Sequence, residues 1–444
     1  MIKILTYTTL AINILLSLVA LLTENDWILY NSYYFYTVQF LMYLGVILLS
    51  VRYACQFLMP SMVMFLYLSF SFSLGAKLVP HGFGFLTVDF IDSIINMKEV
   101  KWVTFYWLNT FNALFYVTMT SLIKQNSKEI NINGGVKSSY LMLGALIATF
   151  MLVSSFRFFG TFGMQIALSI VICTHIISFP RLVKLGVYCV LIISAVIFNY
   201  ENKREVLMIF MTVFFIFSYT YKVEFKLNMK NFIAYSMILF LFVSSILVSS
   251  ILRGYGGFGV TKFTEAVSYI PAYIQSDTFS DTIIDNFEIS HTYPAAVLPV
   301  EYIMTGQLDL LVGSSIIKPL FLPLPRDIVP FKPDSVISIF TTFQAPSVHS
   351  IGGSFPVAFP SELFVNFHFL GLIFLVFFSF VFNKIYMSLF KNDVSGMKFK
   401  SALSFTVLLF ILIRGGGADL LFVSFLSSLI VIFISSVNGN HLKL

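Results

Sequence analysis

A chain of 444 residues that is 58% apolar, 17% aromatic and only 11% charged has no polar face with which to cover itself, and its mean hydropathy of +0.89 excludes a soluble globular domain. The formal net charge of +6 follows from how the short connections are charged, and gives no reason to invoke nucleic acid. Cys55, Cys173 and Cys189 all fall in or beside apolar stretches, which excludes a disulfide framework in the polar part of the chain and capture of a metal by cysteine.

Stretches apolar enough to cross a hydrocarbon core of roughly 30 Å run at 4–22, 35–54, 60–79, 102–123, 139–156, 163–180, 183–200, 206–221, 232–252, 362–383, 401–418 and 420–437. The expected fold is an all-α polytopic membrane protein with about 12 transmembrane helices and a large extracytoplasmic loop between helices nine and ten. The first stretch lacks a small-residue cleavage site and precedes eleven more, so it reads as a retained helix rather than a signal peptide. Between stretches three and four, Phe85, Phe90 and Ile94 recur at near-helical spacing, which predicts a short helix lying in the interface. The connections at 124–138 and 389–400 read as solvated turns, and Gly134-Gly135 as part of one. None holds a nucleotide-binding glycine loop.

Charge sets the orientation. With the N-terminus cytoplasmic, the inner connections hold fifteen basic residues against Glu129, Glu224 and Asp393, and every one of them is net basic. Lysine and arginine bias on short loops governs topology, so both termini are expected inside and the long loop outside.

That loop, 253–361, holds 11 of the 14 prolines and separates helices one to nine (1–252) from helices ten to twelve (362–444). Within it, 261–290 reads as an acidic amphipathic helical stretch broken at Pro271, and 292–312 as a second apolar segment. After Gly313 the chain is proline-punctuated and reads as irregular up to Glu362. A long structured loop on a helical bundle is where binding and catalysis are usually carried.

Arg157, Arg204, Arg253 and Arg414 stand on the outer side at span ends, and Arg326 stands in the loop. A guanidinium at head-group depth suits a diphosphate, because it binds two oxygens at once and stays charged. The alternative for Arg204 is lipid phosphate or a pairing with Glu201 or Glu205; for Arg414 it is Asp419. Arg253 opens Arg-Gly-Tyr-Gly-Gly-Phe-Gly, which either lets backbone N–H groups approach an anion or simply ends a helix. The string Pro-Arg-Asp-Ile-Val-Pro-Phe-Lys-Pro places Arg326 and Lys332 between prolines, pre-ordered for a phosphate, or else in a plain surface turn. His349 is the loop's candidate general base, since histidine is the side chain that ordinarily titrates near neutrality. Glu362 and Asn366, four residues apart, share one face at the start of the tenth stretch, while His368 lies on another and reads as structural. His81, His175, His291 and His441 show no ligand spacing, so no metal is expected.

The twelve spans, the external loop between nine and ten, Pro325-Arg326 with Lys332-Pro333 shortly after, then Gly-Gly-Ser-Phe-Pro and Glu-Leu-Phe-Val-Asn-Phe together resemble the Wzy-type O-antigen polymerases, relatives of the O-antigen ligases. The layout covers the whole chain and the motif likeness covers 250–372. The resemblance implies polymerisation of polyprenyl-diphosphate-linked oligosaccharide units at the periplasmic face of a bacterial inner membrane. It implies no cofactor, and as partners membrane lipids, a flippase and a chain-length regulator. By position, Arg204 and Arg253 look like the family's outer-face arginines and His349 like the loop histidine of the ligases. The expected site is then His349 and Glu362 for catalysis, with Arg204, Arg253, Arg326 and Lys332 on the diphosphate and Arg157, Asn366 and Arg414 in support. Some members place a glycine eleven positions after a loop arginine, where this chain has Phe215 after Arg204 and Thr264 after Arg253.

Three rivals stay open, one of them a receptor or assembly scaffold, whose loop would have less reason to concentrate cations between prolines and glycines. A ligase would run the same chemistry onto a different acceptor. A flippase or other transporter would show a similar number of spans, but transporters place ionisable groups near mid-membrane, whereas nearly every charge here lies at a span edge or in a loop.

Overall fold

The computed structural model describes residues 2–53, 60–78, 102–121, most of 243–279, 289–321, 327–350 and 353–390, with isolated positions elsewhere. Among the described residues the chain is helical, with no β-strand. Four expected spans are helices close to their expected edges: α1 (Ile2–Thr23), then, after the short α2 (Asp26–Tyr30), α3 (Ser32–Tyr53), α4 (Pro60–Leu78) and α5 (Trp102–Ser121). By length and composition alone, Ile4–Thr23 and Phe359–Val381 pass for membrane-crossing segments. The expected spans at 139–156, 163–180, 206–221, 401–418 and 420–437, and the expected interfacial helix within 80–101, lie outside the described residues. Those at 183–200 and 232–252 are described in part and are helical there.

The order of contacts gives direction. α1 runs against α5, since Tyr7 meets Thr120 at 2.8 Å while Asn109 Nδ2 donates to the carbonyl of Asn13 at 3.2 Å. α3 runs against α4, with Tyr36 on Phe72 and Tyr43 on Phe65, and along α5, with Tyr36 on Phe105 and Tyr43 on Tyr116. The four helices therefore alternate, as successive spans must. Fully buried rings fill their centre, many edge to face, and large aromatic faces supply the dispersion contact that holds such a bundle. Amides tie the same helices: Asn112 Nδ2 donates to Gln39 Oε1 at 2.7 Å and Gln39 Nε2 to Asn109 Oδ1 at 2.8 Å, all three residues being fully buried.

Further on, helical residues 246–252 stop at Gly254, whose N–H returns to Ile251 O at 2.9 Å and whose φ of +88° suits glycine alone. The glycine string after Arg253 thus ends a helix. It turns α6 (Phe263–Ser268) and α7 (Ile270–Ile274) back onto that helix end, where Leu247, Ile251, Ala266 and Tyr273 form a buried cluster. The break expected at Pro271 is the joint between α6 and α7, with Pro271 in the first turn of α7, where its missing N–H costs nothing.

The rest of the long loop is built into the bundle. α8 (Ile289–Met304) crosses α4 so closely that a Cβ on Gly75 would lie 2.3 Å from the Cβ of Tyr293. Inside α8, Pro299 has no N–H to offer the carbonyl of Ala295 four residues back. That carbonyl accepts the N–H of Ala358 instead, at 3.0 Å, and the neighbouring carbonyl of Ala296 accepts Ser361 Oγ. The stretch after Gly313 is not irregular throughout, as expected from its prolines, but holds α9 (Ser314–Ile317), a 3-10 turn (Lys318–Phe321), α10 (Val336–Gln344) and α11 (Pro346–Ser350).

Nor is the tenth span one continuous helix. α12 (Phe359–Phe367) and α13 (Gly371–Phe390) meet at a 3-10 turn, His368–Leu370, where His368 has a φ of +53°. Contacts pair in reverse order across it: Phe367 stacks on Phe374 at 3.9 Å, Leu363 O faces Gly371, and Phe359 packs on Phe378 at 5.3 Å. Phe359 also packs on Phe111, and Phe364 on Trp107 at 4.9 Å, so α12 begins within the bundle and climbs towards the first turns of α5. The segment 359–381 has a span's composition but reverses. α13 alone, at 20 residues, has the roughly 30 Å length of a crossing. Glu362 therefore does not open a span, and the boundary expected at 361/362 falls inside α12.

Candidate functional site

The reversal buries a three-residue polar cluster. Glu362, Asn366 and Ser315 are 1%, 2% and 2% exposed. Ser315 Oγ donates to Glu362 Oε1 at 3.1 Å and accepts from Asn366 Nδ2 at 2.8 Å, and that amide also donates to the backbone carbonyl of Glu362 at 2.7 Å. The shared face expected for Glu362 and Asn366 is present, four residues apart on α12. Asn366 Oδ1 is buried without a hydrogen-bond partner among the described residues.

Local sequence explains the placement. Pro360 sits in the first turn of α12, where proline is pre-shaped for a helix, and its carbonyl accepts Trp107 Nε1 at 3.0 Å. Opposite, Leu311 N–H donates to Val365 O at 2.9 Å, and Gly313, at φ +84°, lets the chain turn tightly beside Phe367 into α9. Val312 and His368, two of the three non-glycine residues with positive φ among those described, flank the cluster. Such conformations cost about 1–3 kcal/mol each and gather where surrounding structure enforces them. Measured along α5 at 1.5 Å per residue, Trp107 to Phe111 lie roughly 10 Å below the helix start, and Glu362 stands between Phe359 and Phe364, which pack on those two rings.

His349 belongs to a different set of contacts. It is exposed on the last turn of α11, with Nε2 3.3 Å from Ser338 Oγ on α10. α10 in turn is held by Tyr302 of α8, which donates to Gln344 and packs on Phe340 and Phe343, and by Thr341 Oγ1, which accepts Phe355 N–H at 2.9 Å. Lys332 Nζ donates to Leu324 O at 3.1 Å across the neck of the proline-rich turn. His368, expected on a face apart from Glu362 and Asn366, packs between Phe364 and Phe369 with Nε2 3.3 Å from Met304 Sδ. Arg157, Arg204, Arg253, Arg326 and Arg414 lie outside the described residues.

Sequence reasoning missed Ser315 and Glu301. Ser315 is one loop serine among many, with no periodicity to mark it. Glu301 carried a signal: it is a carboxylate inside an apolar helix, 7% exposed, accepting a hydrogen bond from Thr104 Oγ1 of α5. It pins the last turn of α8 to the first turn of α5. No family model, curated protein or solved structure matches the chain.

Proposed function

We propose that this protein extends polyprenyl-diphosphate-linked oligosaccharide by glycosyl transfer at the periplasmic face of a bacterial inner membrane. The observation that carries the reading is the Glu362–Ser315–Asn366 cluster: a buried polar group assembled from the loop and from the helix that follows it, within the segment whose motifs resemble the polymerases. The basic inner connections support an extracytoplasmic position for that end of the bundle.

In the proposed reaction the bond between the donor's anomeric carbon and a diphosphate oxygen breaks, and a bond from that carbon to an acceptor hydroxyl oxygen forms. The hydroxyl proton passes to His349, and polyprenyl diphosphate leaves. Charge neutralisation of the leaving group is the larger requirement, which fixed cations aimed at it supply. Arg204, Arg253, Arg326 and Lys332 are assigned that part. Glu362 is assigned to organise the acceptor; it is buried with Oε1 accepting from Ser315, so that part requires the Ser315 contact to open.

Purified protein given only a polyprenyl-diphosphate repeat unit is expected to make a ladder of longer lipid-linked glycans without added nucleotide, at a rate a chelator leaves unchanged. Transport of the unit across liposomes without extension would make the protein a flippase. Transfer that begins only when lipid A core is supplied would make it a ligase.

A further inference from the structure

The segment that closes over Glu362 exposes what a loop in water would hide. Val312 is 81% exposed, Leu320 71%, Ile328 67% and Phe331 76%. Scattered apolar side chains on a surface need no account, whereas a contiguous apolar patch marks a contact surface, and within this stretch Phe331 packs on Phe321. The first residues of the stretch lie beside α13, whose Ile373 and Phe377 are 66% and 67% exposed. Gly313 packs against Phe367, and Phe367 lies flat on Phe374.

Depth distinguishes it from an ordinary loop. Leu311 and Ser315 are bonded to Val365 and Glu362, and α12 lies beside Trp107 and Phe111, below the first turn of α5. A surface at that height beside the outward face of α13 meets the same surroundings as α13. Lys318 also suits it, since it stands in the same stretch, and a lysine stem lies along apolar surface while its ammonium group reaches phosphate level.

We infer that residues 310–321, with Ile328 and Phe331, form an apolar skirt lodged among the acyl chains of the outer leaflet, and that this skirt is the lipid-side wall of the Glu362 cluster. The inference rests on the membrane reading under Proposed function. It makes the wall of the site a single layer of chain whose far side is bilayer.

The test is spin labelling of the full chain in nanodiscs, with Cys55, Cys173 and Cys189 replaced by serine and single cysteines at Leu320, Phe331, Ile373 and Gln275. Labels at Leu320 and Phe331 are expected to favour collision with oxygen over a water-soluble nickel chelate, as at Ile373, with the reverse at Gln275. Preference for nickel at Leu320 and Phe331, with oxygen preferred at Ile373, overturns the skirt and leaves the membrane reading standing. Preference for nickel at Ile373 too removes both. Shielding of Leu320 and Phe331 from both reagents shows a protein partner or second copy there and also overturns the proposal.

Discussion

Ser315 gives its one proton to Glu362 and accepts another from Asn366, so its donor and one of its acceptor sites are used inside the cluster. Ser315→Ala leaves two buried polar atoms without those bonds, a loss of about 1–3 kcal/mol. The expected outcome is a lower unfolding midpoint in detergent together with loss of glycan extension, both partly restored by threonine. A lowered midpoint with full extension would reduce the cluster to a structural role. His349 should behave in the opposite way. It is exposed, with Ser338 as its hydrogen-bond partner, so His349→Ala should leave the midpoint in place while slowing extension by about 10²- to 10⁴-fold, the range for loss of a general base. Unchanged turnover in that variant would remove His349 from the reaction.

At the scale of elements, close approach decides the architecture. Gly75 has no room for a methyl group against Tyr293, so Gly75→Val should separate α4 from α8 and cost about 1–3 kcal/mol, the usual range for overpacking. Thermal unfolding of the purified variant checks this, and an unchanged midpoint would mean that the crossing is looser than described. The same kind of contact explains what was legible in the sequence. α1, α3, α4 and α5 stand almost where their apolar runs begin and end, because a run long enough to cross and bounded by polar residues leaves little freedom. Glu362 and Asn366 share a face because four residues is nearly one helical turn. The reversal at His368 was not legible: 359–381 has the mean hydropathy of a span despite Glu362, Asn366 and His368, and the turn depends on Gly371 lying against Leu363 O and against Trp107, which is far away in sequence. The prolines after Gly313 likewise point to irregular backbone where short helices stand, since Pro319 and Pro346 fall in the first residues of a 3-10 turn and a helix, positions that have no use for the missing N–H.

For the whole molecule, the alternation of α1, α3, α4 and α5 fits four successive crossings, and the basic connections are expected on the inner side. In the cysteine-free chain, a cysteine at Gln275 should react with an impermeant maleimide added outside intact spheroplasts, and one at Ser395 should react only after lysis. The reverse pattern would invert the topology and place the Glu362 cluster on the cytoplasmic side. The hairpin of α12 and α13 also bears on how the chain is made. During synthesis α5 and α8 leave the ribosome well before α12, carrying Trp107 Nε1 and the carbonyls of Ala295 and Ala296, which later bond to Pro360, Ala358 and Ser361. A nascent chain that has not reached residue 358 thus lacks the partners that the carbonyl of Ala295, left without a helical donor by Pro299, and Trp107 Nε1 have in the finished fold. The expectation is that α12 docks after α5 and α8, entering beside α13.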